Sequence, residues 1–151
     1  MRIAVVAPSN TVSPQIPTRI AALVAARYGD DAPEIVFHPQ CFLSEGHFAG
    51  PDSAREDALV EVANDPSFDA VWFARGGYGA NRIAEAAIAR LGDAARGKTY
   101  LGYSDGGFLL AGLLANDIGM PVHAPMPADI MREGGEAAPS CVKRCPSSRY
   151  Q

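Results

Sequence analysis

The chain has 151 residues, is 48% hydrophobic and 20% charged, and carries a net charge of −4. That is enough chain for one domain with a sizeable core, and its acidic balance gives no electrostatic footprint for nucleic acid or an anionic membrane. The three cysteines, Cys41, Cys141 and Cys145, have no zinc-type pairing and are odd in number, which points to a reducing, cytoplasmic setting with no metal or other cofactor.

The N-terminal apolar run is too short for a signal sequence and is stopped by Pro8. Residues 3–7 instead read as a buried parallel strand, continuous and β-branched. A polar turn, Pro8-Ser9-Asn10-Thr11, follows it. Ile16, Ile20, Leu23 and Val24 then share one helical face, ending near Tyr28-Gly29. Residues 35–37 form a second short strand. Residues 39–52 are irregular, carrying Cys41, Phe42, Leu43, His47 and Phe48, and read as a lid, a wall or a packed loop. Ser53-Ala54-Arg55-Glu56 has capping-box spacing, predicting a helix from there to about Asn64. Residues 70–74 are a third buried strand. Arg75-Gly76-Gly77-Tyr78-Gly79 then brings a glycine-rich turn before a helix that points Ile83, Ala84, Ala87, Ile88 and Leu91 inward. Residues 98–101 are a fourth strand, and 108–118 a helix so apolar around its circumference that it is expected to be largely buried. Residues 122–124 end the series as a fifth strand.

Strands alternating with helices predict an α/β fold, with a flavodoxin-like parallel sheet of about five strands and helices on both faces. Ligands bind such sheets beyond the carboxyl ends of the strands. Ser9, Gly76, Gly77, Gly79, Ser104 and His123 all follow strand ends, so the topology gathers them at one edge.

Among them, Gly102-x-Ser104-x-Gly106 has nucleophile-elbow spacing: a strand turns sharply into a helix and leaves a serine at the apex. Backbone N–H groups at the helix start are placed to hold an oxyanion. Asp105 offers its N–H, with its side chain capping the helix that follows, or serves as a helix cap alone. A serine nucleophile also needs a base. Of His38, His47 and His123 only His123 lies at a strand end, where it is either a partner of Ser104 or a packed residue of the crossover. The glycine loop reads as the other half of an oxyanion hole or as a phosphate cradle. The second is weaker, because Arg82 stands where a dinucleotide fingerprint needs a small residue and no Gly-Lys-Ser/Thr occurs. Arg75 and Arg82 are candidates for a substrate carboxylate, or solvated helix-end cations.

Ala74-Arg75-Gly76-Gly77-Tyr78-Gly79, Gly102-Tyr103-Ser104-Asp105 and His123-Ala124-Pro125-Met126, in that order, resemble the LD-carboxypeptidase family of serine peptidases, which includes murein tetrapeptide carboxypeptidases and microcin C immunity peptidases. The resemblance covers residues 3–138. It implies Ser104 as nucleophile and an oxyanion hole made by the N–H groups of Gly77 and Asp105. Arg75, Gly76, Tyr78 and Ser9 are expected to contact substrate. The implied reaction releases the terminal D-alanine of murein tetrapeptides in cytoplasmic peptidoglycan recycling, without metal. The family's histidine base and its orienting glutamate lie in a C-terminal catalytic domain that this sequence does not reach, and the resemblance gives those roles to no residue here. Gly106-Gly107 and Ala124 depart from the family pattern.

Residues 1–138 are therefore expected to form the nucleophile domain. Residues 139–151, basic and rich in Ser and Cys without apolar periodicity, are expected to be a disordered, aberrant tail, as from a truncation or frame shift. The chain alone is expected to be nearly inactive, and to self-associate or form a homodimer through an exposed interface. The partner is a murein or related small peptide, with no nucleic acid or membrane. The contrasting expectation is a non-enzymatic α/β module that binds a small peptide or anion at the glycine loop.

Overall fold

The computed structural model describes residues 1–144; the expectation for residues 145–151, Cys145 included, lies outside them. Five strands, β1 (Arg2–Val6), β2 (Glu34–Phe37), β3 (Ala70–Phe73), β4 (Thr99–Gly102) and β5 (Met120–His123), form one parallel sheet in the order β2-β1-β3-β4-β5. This is the expected flavodoxin-like order, with its reversal point between β1 and β3. The register pairs Val6 with Phe73, Trp72 with Leu101 and Gly102 with His123, so the strand ends that carry the candidate residues leave the sheet at one level.

The sheet is buried on both faces because strand residues alternate in direction. Ile3, Val5, Trp72 and Leu101 face α1 (Ile16–Tyr28), where Ile16, Ile20 and Val24 meet them. Ala4, Val6, Val71, Phe73 and Tyr100 face the other way, toward α2 (Asp52–Asn64), α3 (Ala80–Ala89) and the helix of residues 107–115. A one-turn helix, α4 (Asp93–Arg96), missed in the sequence, precedes β4. Helix α5 (Gly107–Ala115) follows it, burying Leu109, Leu110 and Leu113.

Three expectations are corrected. Helix α2 begins at Asp52 after Pro51, with no side-chain cap, so Ser53 lies inside the helix and the capping box does not form. Helix α5 is buried on one side only: Phe108 is 57% and Leu114 68% exposed, since their side of the helix meets no other element. Residues 139–144 are ordered, within a 3-10 helix spanning Gly135–Arg144. Ala138, Cys141 and Val142 are buried against the α1 face, and the Tyr28 hydroxyl donates to the Pro139 carbonyl at 2.9 Å. Apolar contacts too few to show periodicity still suffice to seat this segment. No helix among the described residues is long and apolar enough to cross a membrane.

Candidate active site

Ser104 follows β4 in a short 3-10 turn, Ser104–Gly106, that runs directly into α5. Its φ is +56°, in the left-handed region that costs a residue with a Cβ about 1–2 kcal/mol. Such strain persists only where surrounding structure enforces it. Phe73 closes in on both flanking glycines: a Cβ at Gly102 would lie 2.7 Å, and one at Gly106 3.0 Å, from its ring. The glycines of the Gly-x-Ser-x-Gly motif are thus small because β3 crowds them. Neither has a positive φ.

The Asp105 carboxylate is buried, and one of its oxygens, Oδ2, takes two hydrogen bonds, from Ser9 Oγ at 2.6 Å and from the Ala80 N–H at 2.8 Å. Asp105 therefore caps α3 rather than its own helix, correcting the expectation above. It ties the ends of β1, β3 and β4 together around the elbow. Ser9 is fully buried in this contact. Its hydroxyl supports Asp105, and it does not line the cleft that holds Ser104.

The glycine loop lies across the elbow. A Cβ on Gly76 would sit 3.1 Å from Ser104 Oγ, so the backbone of Gly76 passes beside the hydroxyl. Gly77 has φ +131°, and a Cβ there would collide with the Asn10 carboxamide. Asn10 Oδ1 accepts from the Tyr78 N–H at 3.3 Å and so holds this turn. Sequence reasoning passed over Asn10, although it lies in the polar turn singled out after β1.

It also passed over Arg55. That side chain is fully buried, donating to the carbonyls of Pro8 at 2.5 Å, Gly79 at 2.9 Å and Gly50 at 3.3 Å, pairing with Asp52, and lying over the Phe48 ring. No sequence signal marks it, because an arginine in a first helical turn ordinarily reads as solvated. Arg82, in the first turn of α3, pairs with Asp52 and lies over Phe48. It is taken up by structure, which corrects its candidacy for a substrate carboxylate. The irregular segment is a packed loop that does not line the Ser104 cleft: the Gln40 side chain bonds both backbone groups of Ala7 and the Ala49 carbonyl.

Ser104 lies in a cleft of about 400 Å³ whose wall includes Arg75, Gly76, Gly77, Tyr103, Met126, Asp129 and Arg132. The Tyr103 hydroxyl donates to Asp129 Oδ1 at 2.9 Å, and burial together with this carboxylate holds its pKa above the ordinary value. Tyr78 stands outside the cleft lining, half exposed beside His47 and Phe48. Among the described residues no histidine bonds the Ser104 hydroxyl. His38 faces Glu61 at 3.4 Å, His47 stacks beside Phe48, and His123 lies against the Tyr103 ring and lines a neighbouring cavity.

A parallel α/β sheet carrying a strained serine between a glycine loop and a helix start has the layout of a nucleophile elbow. The chain belongs to the LD-carboxypeptidase family: the model of that family's N-terminal domain matches residues 3–124. It is 35% identical over 135 residues to a Streptomyces coelicolor protein provisionally named a carboxypeptidase, covering 85% of this chain and 41% of the relative. The muramoyltetrapeptide carboxypeptidase of Oxalobacter formigenes superposes with a TM-score of 0.70 at 26% identity, over 87% of this chain and 43% of that one. An MccF-like protein of Streptococcus pneumoniae, solved with AMP, has the same fold, with a TM-score of 0.62 at 20% identity over 85% and 38% of the two chains. The chain thus spans about two fifths of the length of the relatives it matches.

Proposed function

We propose that this chain is the nucleophile-bearing part of a serine-type LD-carboxypeptidase acting on murein tetrapeptides in peptidoglycan recycling. The observation that carries the reading is the exposed Ser104 at φ +56°, flanked by the Gly76-Gly77 backbone and opening α5. In this reading Ser104 Oγ attacks the carbonyl carbon of the L-to-D bond. The N–H groups of Gly77 and Asp105 hold the oxyanion, and the carbon–nitrogen bond then breaks to release D-alanine. Water hydrolyses the resulting ester. A base must take the serine proton and return it to the leaving amine, and none of the described residues is placed for this. The base is therefore assigned to a histidine outside them, as in the family pattern.

Removing a base costs on the order of 10⁴–10⁶ in rate. The 151-residue chain should accordingly bind a murein tetrapeptide yet release D-alanine far below the ~10 s⁻¹ of ordinary enzymes. A fluorophosphonate probe followed by peptide mass spectrometry should place any adduct on Ser104, with none in Ser104→Ala. An adduct on another residue, or ordinary turnover by this chain, would sink the proposal. The absence of a placed base favours one second reading, a module that binds a small peptide or anion without turnover. It predicts no adduct on the parent and lost peptide binding in Ser104→Ala, whereas the peptidase reading predicts a lost adduct with binding unchanged.

A further inference from the structure

The Ser104 cleft contains two guanidinium groups from separate segments. Arg75 immediately precedes Gly76, whose backbone lies against Ser104. It is exposed and, among the described residues, donates one hydrogen bond, Nη1 to the Thr11 carbonyl at 3.2 Å. Arg132 follows the 3-10 turn Pro127–Met131 and is 74% exposed. Among the described residues it is tethered through Nη1, to the Tyr103 hydroxyl at 3.2 Å and to Asp129 Oδ1 at 3.4 Å. Each arginine so keeps the rest of its donor fork for a ligand. Among the described residues of the cleft wall the one carboxylate, Asp129, does not offset them fully. Asp129 also accepts from the Tyr103 hydroxyl and from the Met126 N–H at 2.8 Å, and its exposed pairing with Arg132 is of the weak surface kind.

We propose that Arg75 and Arg132 form a clamp for the C-terminal carboxylate of the bound peptide, with Arg132 replacing Arg82 as the second arginine. This assignment rests on the peptidase reading of Ser104. Its logic is one of length. In a C-terminal residue, three covalent bonds separate the carboxylate carbon from the preceding peptide carbonyl carbon. A carboxylate held by guanidinium groups that line the same cleft as Ser104 therefore favours presentation of the last peptide bond to its hydroxyl. A guanidinium fork matches a carboxylate bidentately and cannot do so for a neutral amide. The clamp thus selects exopeptidase cleavage of a free C-terminus and rejects amidated or extended chains.

The test titrates the full chain, followed by backbone amide NMR, with Nα-acetyl-L-lysyl-D-alanine, its C-terminal carboxamide, and inorganic phosphate. The acid should bind about tenfold or more tightly than the carboxamide, the scale expected for charge-assisted bonds. Shifts should centre on Gly76, Gly77 and Ser104. Arg75→Gln and Arg132→Gln should each shrink that preference several-fold, and the double variant should bind acid and amide alike. Both side chains are exposed, so melting temperatures should stay at the parent value. If acid and amide bind alike with shifts at Ser104, the clamp is overturned while the peptidase reading stands. If both ligands shift only residues remote from Ser104, or neither binds, both are overturned. Phosphate binding at the same amides as tightly as the acid would show a general anion site and overturn the clamp.

Discussion

Replacing Asp105 by alanine should loosen the whole edge of the sheet, because its Oδ2 alone receives the Ser9 hydroxyl at 2.6 Å and the Ala80 N–H at 2.8 Å. Each hydrogen bond to a charged group contributes about 1.5–3 kcal/mol, and both donors are left buried without a partner. The expected loss is about 3–5 kcal/mol, a large share of the 5–15 kcal/mol typical of a domain. For a chain of this size that lowers the melting temperature by roughly 6–20 °C. Asp105→Asn is the control. With its amide oxygen at the Oδ2 position it keeps both bonds and loses only the charge at the N-terminus of α3, at a cost of about 1 kcal/mol. Thermal denaturation followed by circular dichroism gives the magnitudes. Amide hydrogen exchange gives the location: protection of the Ala80 N–H should collapse in Asp105→Ala and persist in Asp105→Asn. A melting point for Asp105→Ala within 2 °C of the parent (a shift of about 1 kcal/mol or less), or an unchanged Ala80 exchange rate, would refute the three-loop role of this carboxylate.

Arg55→Ala should cost about 3–5 kcal/mol by denaturant titration, since it strands the carbonyls of Pro8, Gly50 and Gly79 and uncovers Phe48; a loss below 1 kcal/mol would show that water replaces the guanidinium freely. Gly107→Ala should raise stability by about 0.4–1 kcal/mol, because Gly107 has helical φ −58° and ψ −29° with nothing within 4 Å of a Cβ, and a lowered melting point would contradict this. Stability should fall as pH rises above about 9. Burial pushes the Cys41 thiol from 9.0 up to about 12 and the Tyr100 hydroxyl above 10.0. Both groups therefore ionise first in the unfolded chain, so their contribution is complete below the unfolded values and is lost through the folded ones. Melting temperature against pH should decline less steeply above pH 9 in Cys41→Ala and Tyr100→Phe; identical slopes in all three proteins would refute the assignment.

The order of strands, the glycine loop and the serine turn are legible in the sequence because each rests on local chemistry. Short, continuously apolar runs such as residues 3–6 and 70–73 have few alternatives to a buried parallel strand. A run such as Gly76-Gly77-Tyr78-Gly79 cannot continue either regular element without cost. Once the strands are parallel, their carboxyl ends must share an edge, so the meeting of Ser104 with the glycine loop follows from topology. Only the folded chain could show that Gly102 and Gly106 are set by Phe73, which comes from another strand. Likewise, Asp105 meets Ser9 across 96 positions of sequence, and Arg55 reaches the carbonyls of Pro8 and Gly79 at separations of 47 and 24. Such buried polar contacts depend on which loops come to lie side by side, and an arginine or serine looks the same in sequence whether water or a carbonyl will satisfy it. The same reason governs the errors. Apolarity all round α5 states what the helix tolerates, while the neighbours supplied by tertiary structure decide that Phe108 and Leu114 stay in solvent. Residues 139–144 carry no periodic signal, yet Cys141 and Val142 find the open side of α1. Local propensity thus determined the elements and their edge, and only long-range packing decided which polar groups hold that edge in shape.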